Sequence, residues 1–257
     1  MQTFGEVTLE VANYIAVVEI HRPPHNFFDA ILIESLADAY EAAAGDGARA
    51  IVLCSEGKNF CAGADFSARS RAAAGGVADG GVRQLYEQAV RLFEAPLPVV
   101  AAVQGKAVGG GLGLACSADF RVAAPQSVFM ANFSRLGLHH GFGLTVTLPA
   151  ILGQQRAWNL LYTGLGLAGT DAAAQGLADH LASDVRAGAR ELAARIAAAG
   201  PLAVRSIRVT MRDDLAARTK QAMEHERAEQ EKLWRTADFA EGVKATAERR
   251  TPNFAGR

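Results

Sequence analysis

Two apolar runs in this chain end the same way, and that repetition restricts the fold more than any other feature. "AIVLCSEGKNFCAGADF", from Ala50, and "PVVAAVQGKAVGGGLGLAC", from Pro98, each pass from Val, Ile, Leu and Ala into a corner of very small residues. A short continuous apolar run bounded by turn residues reads as a strand buried on both faces. In the second corner glycine runs from Gly109 to Gly113 with only Leu112 between, and a helix-like apolar stretch follows at once. Buried strands alternating with helices predict an α/β domain with crossover connections.

The remainder fits that plan. "VTLEVANYIAVVEI" predicts two short strands about a turn at Ala12-Asn13. "DAILIESLADAYEAAAG" carries helical spacing, with Asp29 as N-cap and Gly45 as stop. The small, polar, glycine-rich segment from Ser67 to Gly81 reads as a loop within the domain, and "VRQLYEQAVRLFEA" after it as an amphipathic helix. "ADFRVAAPQSVFMA" predicts a strand region turning at Pro125-Gln126. From Gln154 onward the pattern predicts nearly continuous helix. The expected organisation is a core over residues 1–199 and a helical region over 200–257, packed on that core or on a neighbouring subunit.

A chain of 257 residues, half of them hydrophobic, can bury one large core. Its net charge of −1 lacks the basic excess that nucleic acid or an anionic membrane surface demands. No apolar run reaches the length of a membrane span, and "MQTFGEVTLE" lacks the basic-then-apolar plan of a signal peptide. Cys54, Cys61 and Cys116 are too few and too far apart for a disulfide framework or a zinc knuckle. The expectation is a cytoplasmic protein with no metal, no nucleic-acid partner and no membrane contact.

Ligands of open α/β sheets tend to sit where strands end and helices begin. There a free N–H and the helix dipole favour negative charge, and Gly or Ala lets a ligand touch the backbone. The glycine run is not a P-loop, because no Gly-Lys-Ser/Thr follows. Nor is it the dinucleotide fingerprint GxGxxG, whose last glycine would fall on Leu114 or Cys116. A tight turn in which glycine only permits close packing is the plain alternative. On the run alone, both readings stand.

"NFCAGAD" followed by "VGGGLGLACSAD" resembles the enoyl-CoA hydratase/isomerase, or crotonase, superfamily. The resemblance starts at "HRPPHNFF", continues through "LPAILGQQRAWNLLYTG" and closes with "AEGVKATAERRTPNF", so it spans essentially the whole chain. It implies an α/β fold, a crotonase-like spiral of ββα turns. C-terminal helices then build a homotrimer, or a hexamer made of two trimers. The implied substrate is an acyl-CoA thioester of fatty-acid metabolism, with coenzyme A as part of the substrate and no separate cofactor. The implied chemistry is that of a lyase or isomerase working through a thioester enolate. The N–H groups of Ala64 and Gly110 would stabilise its oxygen. Gly111 would let the helix begin without crowding the thioester, and Asp65 would brace the loop. Ala62 and Phe66 follow the adenine-side loop. Val108, Leu136 and Gly137 complete the expected substrate contacts, and Phe254 and Arg257 would reach a neighbour's CoA site. Cys61 and Cys116 are expected to be core thiols.

The chain departs from the family pattern at its acids. Hydratases of the family carry two glutamates, and their positions here hold Gly113 and Phe133. A third position, an aspartate in some relatives, is Gly141, and no Asp or Glu occurs between Asp119 and Asp171. His139 and His140, in "RLGLHHGFG", are the candidate acid and base within that span, with helix capping as the plain alternative. His25 follows two prolines in the segment that flanks the cleft in relatives, and Phe27, Phe28, Phe133 and Phe142 could wall an apolar acyl pocket or equally belong to the core. Arg135 is expected to be structural and Asn26 a structural hydrogen-bonder. The family lysine beyond the aspartate is here Ser67, which leaves phosphate recognition to Arg22, Lys58, Arg69 or Arg71. Two other outcomes fit the same residues. One is a catalytically silent acyl-CoA binder. The other is a relative that hydrolyses β-diketones without CoA.

Overall fold

A computed structural model describes residues 1–64 and 80–257. Strands β1 (Gln2–Phe4), β2 (Val7–Ala12) and β3 (Ile15–Ile20) form an antiparallel meander, and β2 and β3 turn at Asn13 and Tyr14, one residue later than expected because Ala12 still pairs with Ile15. Helix α1 (Ala30–Gly45) follows, with the Asp29 side chain accepting from the Leu32 amide at 2.9 Å. Partial burial opposes ionisation of Asp29, but that bond and Arg22 outweigh it and hold the carboxyl below its usual range.

Strands β4 (Ala50–Ser55), β5 (Val99–Val103) and β7 (Phe120–Ala123) are parallel and lie at the centre of a seven-stranded sheet ordered β1-β2-β3-β4-β5-β7-β10, where β10 is His180–Leu181. Period-two alternation sends their side chains to two cores. Ile51, Leu53, Val99, Ala101 and Val103 face the main core; Val52, Val100, Ala102 and Val122 face helix α7 (Val185–Ala198) through Val185, Ala189 and Leu192. That burial on both faces is why these runs are apolar throughout.

After β5 and again after β7 the chain crosses into a second sheet, formed by β6 (Lys106–Val108), β8 (Val128–Met130) and β9 (Gly166–Ala168) in the order β6-β8-β9. The region read from sequence as one strand with a turn is therefore two strands in different sheets. Ser127, buried at that bend, donates to the Val103 carbonyl and accepts from the Ala124 amide. Helix α2 (Gly80–Phe93) precedes β5, and α3 (Gly110–Ser117) follows β6, giving the ββα turns that the resemblance implies.

The last third is helical as expected, interrupted only by β9 and β10 among the described residues. It comprises α4 (Leu144–Leu152), α5 (Gln154–Thr163), α6 (Gly169–Gln175), α7, α8 (Pro201–Met211), α9 (Leu215–Leu233) and α10 (Ala237–Ala247). Helix α9 packs on α2 and α4, and α10 packs on the short turn Ser134–Leu136. No helix among the described residues is long and apolar enough to cross a membrane.

Candidate active site

The two small-residue corners meet because the chain between Cys61 and Ala64 is held on both sides. On one side the Cys61 amide donates to the Lys106 carbonyl at 3.1 Å, and the Val108 amide donates to the Cys61 carbonyl at 3.0 Å. On the other, the Ala62 amide donates to the His25 carbonyl, and the Phe28 amide to the Gly63 carbonyl, both at 2.9 Å. The Gly109 amide is taken by the Met130 carbonyl at 2.8 Å. Four amides of the two corners, those of Gly63, Ala64, Gly110 and Gly111, have no backbone acceptor among the described residues. Among the described residues neither the Ala64 nor the Gly110 amide donates to any protein acceptor, and Gly110 opens helix α3. A Cβ on Gly63 would stand 3.2 Å from the Gly110 nitrogen, which places the corners in contact.

The glycines here are packing requirements as well. A Cβ on Gly111 would lie 2.0 Å from the Cys61 carbonyl oxygen. Its smallness thus serves the seam between the corners, a different reason from the one expected from sequence. Gly109 has φ 58°, a backbone conformation that other residues reach only at a cost.

Above the two amides opens a cavity of about 350 Å³ with aromatic and aliphatic walls. Phe28, Phe133, Phe142, Leu136, Leu138, Val82, Leu85 and Trp234 line it. The positions of the absent acids are filled. At Gly113 a Cβ would meet the Phe142 Cβ at 2.6 Å; at Gly141 it would meet the Tyr86 hydroxyl at 2.1 Å; Phe133 is itself buried in the wall. Among the described residues the lining holds no Asp, Glu, Lys, Arg or Cys. Its polar members are His25, Tyr86, Asn132, Gln230 and Thr246.

His139 and His140 depart from their expected place, since neither lines the cavity. Their rings stack at 4.2 Å, and His139 Nδ1 donates to the His140 carbonyl at 2.8 Å. Thr145 Oγ1 donates to Glu226 Oε1 at 2.6 Å, so His140 Nε2, 2.8 Å from that oxygen, is the donor in its own bond. Glu226, fully buried on α9, also accepts from the amides of Gly143 and Thr145 at 2.9 and 3.0 Å and so caps α4. Burial, and then the nearby His139 and His225, push His140 down to about 3; burial raises the Glu226 carboxyl against the pull of its donors. The pair is a neutral imidazole tied through a hydroxyl to a buried carboxyl.

Of the other expected contacts, His25, Phe27, Ala62, Leu136 and Phe133 do line the cavity, and the His25 and Phe27 rings lie 5.2 Å apart at its mouth. Val108 and Gly137 form a second layer: the Val108 amide is spent on Cys61, and a Cβ on Gly137 would strike the Asp238 carbonyl at 2.9 Å. Phe254 is half-exposed in the C-terminal tail and does not reach this cavity. Asp65, Phe66, Ser67, Arg69 and Arg71 lie outside the described residues. Arg22 is engaged by Glu6 and Asp29 rather than free for phosphate. Buried Asn26 donates to the Glu56 and Asn59 carbonyls and accepts from the Arg22 amide, the structural role expected of it. The thiols are inert: burial pushes Cys61 up to about 12 and Cys116 to about 11. Sequence reading missed Tyr86, Gln230 and Asn132. Tyr86 sits on the apolar face of an amphipathic helix, and its partner Gln230 lies far along the chain, so no local pattern could pair them.

The family model described as enoyl-CoA hydratase/isomerase matches residues 10–257. A probable enoyl-CoA hydratase of Mycobacterium tuberculosis, EchA14, is 36% identical over 235 residues, 91% of each chain. A probable enoyl-CoA hydratase of Rhodobacter capsulatus is 34% identical, covering 99% of this chain and all of its own. The crystal structure of an enoyl-CoA hydratase/isomerase from Pseudoalteromonas atlantica superposes with a TM-score of 0.85 at 26% identity, over 97% of this chain and 100% of that one.

Proposed function

The chain belongs to the enoyl-CoA hydratase/isomerase family, and from that premise we propose that it binds an acyl-CoA thioester and stabilises the corresponding enolate without a carboxylate pair. The observation that carries this reading is that Ala64 and Gly110, whose amides have no protein acceptor among the described residues, line a cavity whose acid positions are filled by Phe142 and Phe133. Two N–H donors aimed at one oxygen stabilise charge as it develops, and losing one such donor typically costs about 2.7–4 kcal/mol of barrier. Proton transfer then falls to His25, the imidazole at the cavity mouth, or to bound water. Ordinary hydration, which leans on general acid–base help worth roughly 10²–10⁴ in rate, should be correspondingly slow.

A trimeric or hexameric assembly is part of the same reading. Helix α8 buries none of its residues in the single chain, and Leu202, Ile207, Val209 and Met211 are exposed along it. Leu202 and Val209 share one side of the helix and Ile207 and Met211 lie on the other, and apolar side chains exposed around a whole helix usually have a protein partner.

The test is to incubate the full-length protein with butyryl-CoA in deuterated water and to follow mass gain at the α-carbon, beside calorimetric binding and a crotonyl-CoA hydration assay. Binding with α-deuteration and weak hydration is expected. Efficient hydration would refute the carboxylate-free reading. Tight binding with no exchange would favour a silent acyl-CoA binder, and failure of CoA thioesters to bind would favour the β-diketone alternative.

A further inference from the structure

Two of the polar side chains facing the cavity are engaged: the Tyr86 hydroxyl donates to Gln230 Oε1 at 3.0 Å, and Gln230 Nε2 donates to the His139 carbonyl at 3.0 Å. His25, Thr246 and Asn132 make no side-chain hydrogen bond among the described residues, and of these Asn132 stands against the glycine corner. It lines the cavity beside Phe133 and is half-buried, and among the described residues its carboxamide makes no hydrogen bond. Only its backbone carbonyl is used, by the Arg135 amide at 3.1 Å.

The carboxamide is nevertheless oriented. Its Oδ1 stands 3.1 Å from the place a Cβ on Gly109 would occupy, which is where a Gly109 Cα–H points. With Oδ1 on the Gly109 side, Nδ2 has both its hydrogens uncommitted to any protein acceptor among the described residues. Gly109 is the residue before Gly110, so a thioester oxygen on the Gly110 amide brings the first acyl carbons alongside Asn132.

We infer that Asn132 is a specificity-determining residue that donates a hydrogen bond to an oxygen on the acyl chain close to the thioester. The ligand class is an acyl-CoA bearing a neutral keto or hydroxyl oxygen there; this rests on the thioester reading given above. Neutrality follows from the lining. Among the described residues it offers no cation, and an ionised group would lose water without gaining a counter-charge. A keto oxygen needs only the donor that Asn132 supplies.

Calorimetric titration of the full-length protein with acetoacetyl-CoA, butyryl-CoA and malonyl-CoA tests this. Acetoacetyl-CoA should bind about three- to tenfold more tightly than butyryl-CoA, the gain expected from one neutral hydrogen bond. Malonyl-CoA should show no such gain. The ratio of acetoacetyl- to butyryl-CoA affinity should fall to about one in Asn132→Leu and also in Asn132→Asp, each of similar size and without the donors. The inference is overturned if the wild-type protein shows no preference, if it prefers malonyl-CoA, or if either folded variant keeps the wild-type ratio. Butyryl-CoA binding without a preference would remove this inference alone. Failure of all three thioesters to bind would remove the acyl-CoA reading and this inference with it.

Discussion

Gly113 offers a test in which two opposing effects have different sizes. Substitution by Ala in a helix interior ordinarily gains about 1 kcal/mol of propensity. Here the new Cβ would lie 2.6 Å from the Phe142 Cβ, 2.9 Å from its Cδ1 and 3.0 Å from its Cγ. Carbon atoms prefer separations near 3.5–4.0 Å, so the ring would have to retreat by about 1 Å. It has little room. Phe142 is 1% exposed, its ring lies 5.2 Å from that of Phe28, and its backbone is held at φ 61° between two glycines. Overpacking of this kind costs about 1–3 kcal/mol, and the tight contacts put this case at about 2–3. The net expectation for Gly113→Ala is a loss of about 1–2 kcal/mol, or roughly 2–8 °C in melting temperature for a chain of this size. Phe142→Ala alone should cost about 3–5 kcal/mol. In that background the ring contacts are gone but the Cβ contact at 2.6 Å remains, so Gly113→Ala should still destabilise, by about 1 kcal/mol less than in the wild-type chain. Chemical denaturation of the four proteins of the cycle reads this directly. Equal destabilisation in both backgrounds, with coupling below about 0.5 kcal/mol, would show that Phe142 does not fill the vacant acid position.

Glu226→Gln should destabilise the protein by about 1–3 kcal/mol in the same assay, because an amide NH₂ cannot accept from both the Gly143 and Thr145 amides. His140 has a folded pKa of about 3 against an ordinary 6.5, so below pH 6.5 the unfolded chain binds a proton that the folded chain refuses. Its contribution is thus complete above pH 6.5 and lost as pH falls toward 3, by up to about 2 kcal/mol between pH 7 and 5. Glu226, raised in the folded state, acts in the opposite sense from its ordinary 4.5 upward, so comparing His140→Gln with wild type at pH 7 and 5 isolates the histidine. An equal acid loss in both proteins would refute that assignment. Leu202→Glu combined with Ile207→Glu on α8 should lower the solution mass measured by light scattering; an unchanged mass would place the assembly surface elsewhere.

What could be read from the sequence follows the range of the forces involved. The strands β4 and β5 announce themselves because both faces are buried, and α1 because Asp29 caps it locally. The wall was legible only in part, since Phe28, Phe133 and Phe142 fit an apolar pocket and a packed core equally well until the fold brings them to the glycine corner. The placement of His139 and His140 was not. Their orientation is set by Glu226, more than eighty residues further on, and by the buried bonds it makes through Thr145. Gly111 shows the same limit in reverse. Its smallness pointed to a ligand, but the carbonyl of Cys61 is what occupies the space beside it. Asn132 escaped notice because a carboxamide does not titrate, and the search for a replacement acid passed over it.

The filled acid positions alter more than proton transfer. A carboxylate about 5 Å from an enolate oxygen repels it by roughly 3 kcal/mol at an effective dielectric of 20. Replacing such groups by Phe142 and Phe133 removes that repulsion and lowers the local dielectric, so the field of the Ala64 and Gly110 amides acts unopposed. On the proposed reading the site would give up a base while holding the anion more firmly. Routes that begin by pulling a proton with a carboxylate become slow; routes in which the ligand's own second oxygen shares the charge become easier. A keto oxygen on Nδ2 of Asn132 would spread the enolate charge over two hydrogen-bonded oxygens, so the same carboxamide that selects the ligand would also lower the cost of ionising it. In that case the rate of α-deuteration of acetoacetyl-CoA should fall in Asn132→Leu by more than its affinity does. A fall in affinity with an unchanged rate at saturation would confine Asn132 to recognition.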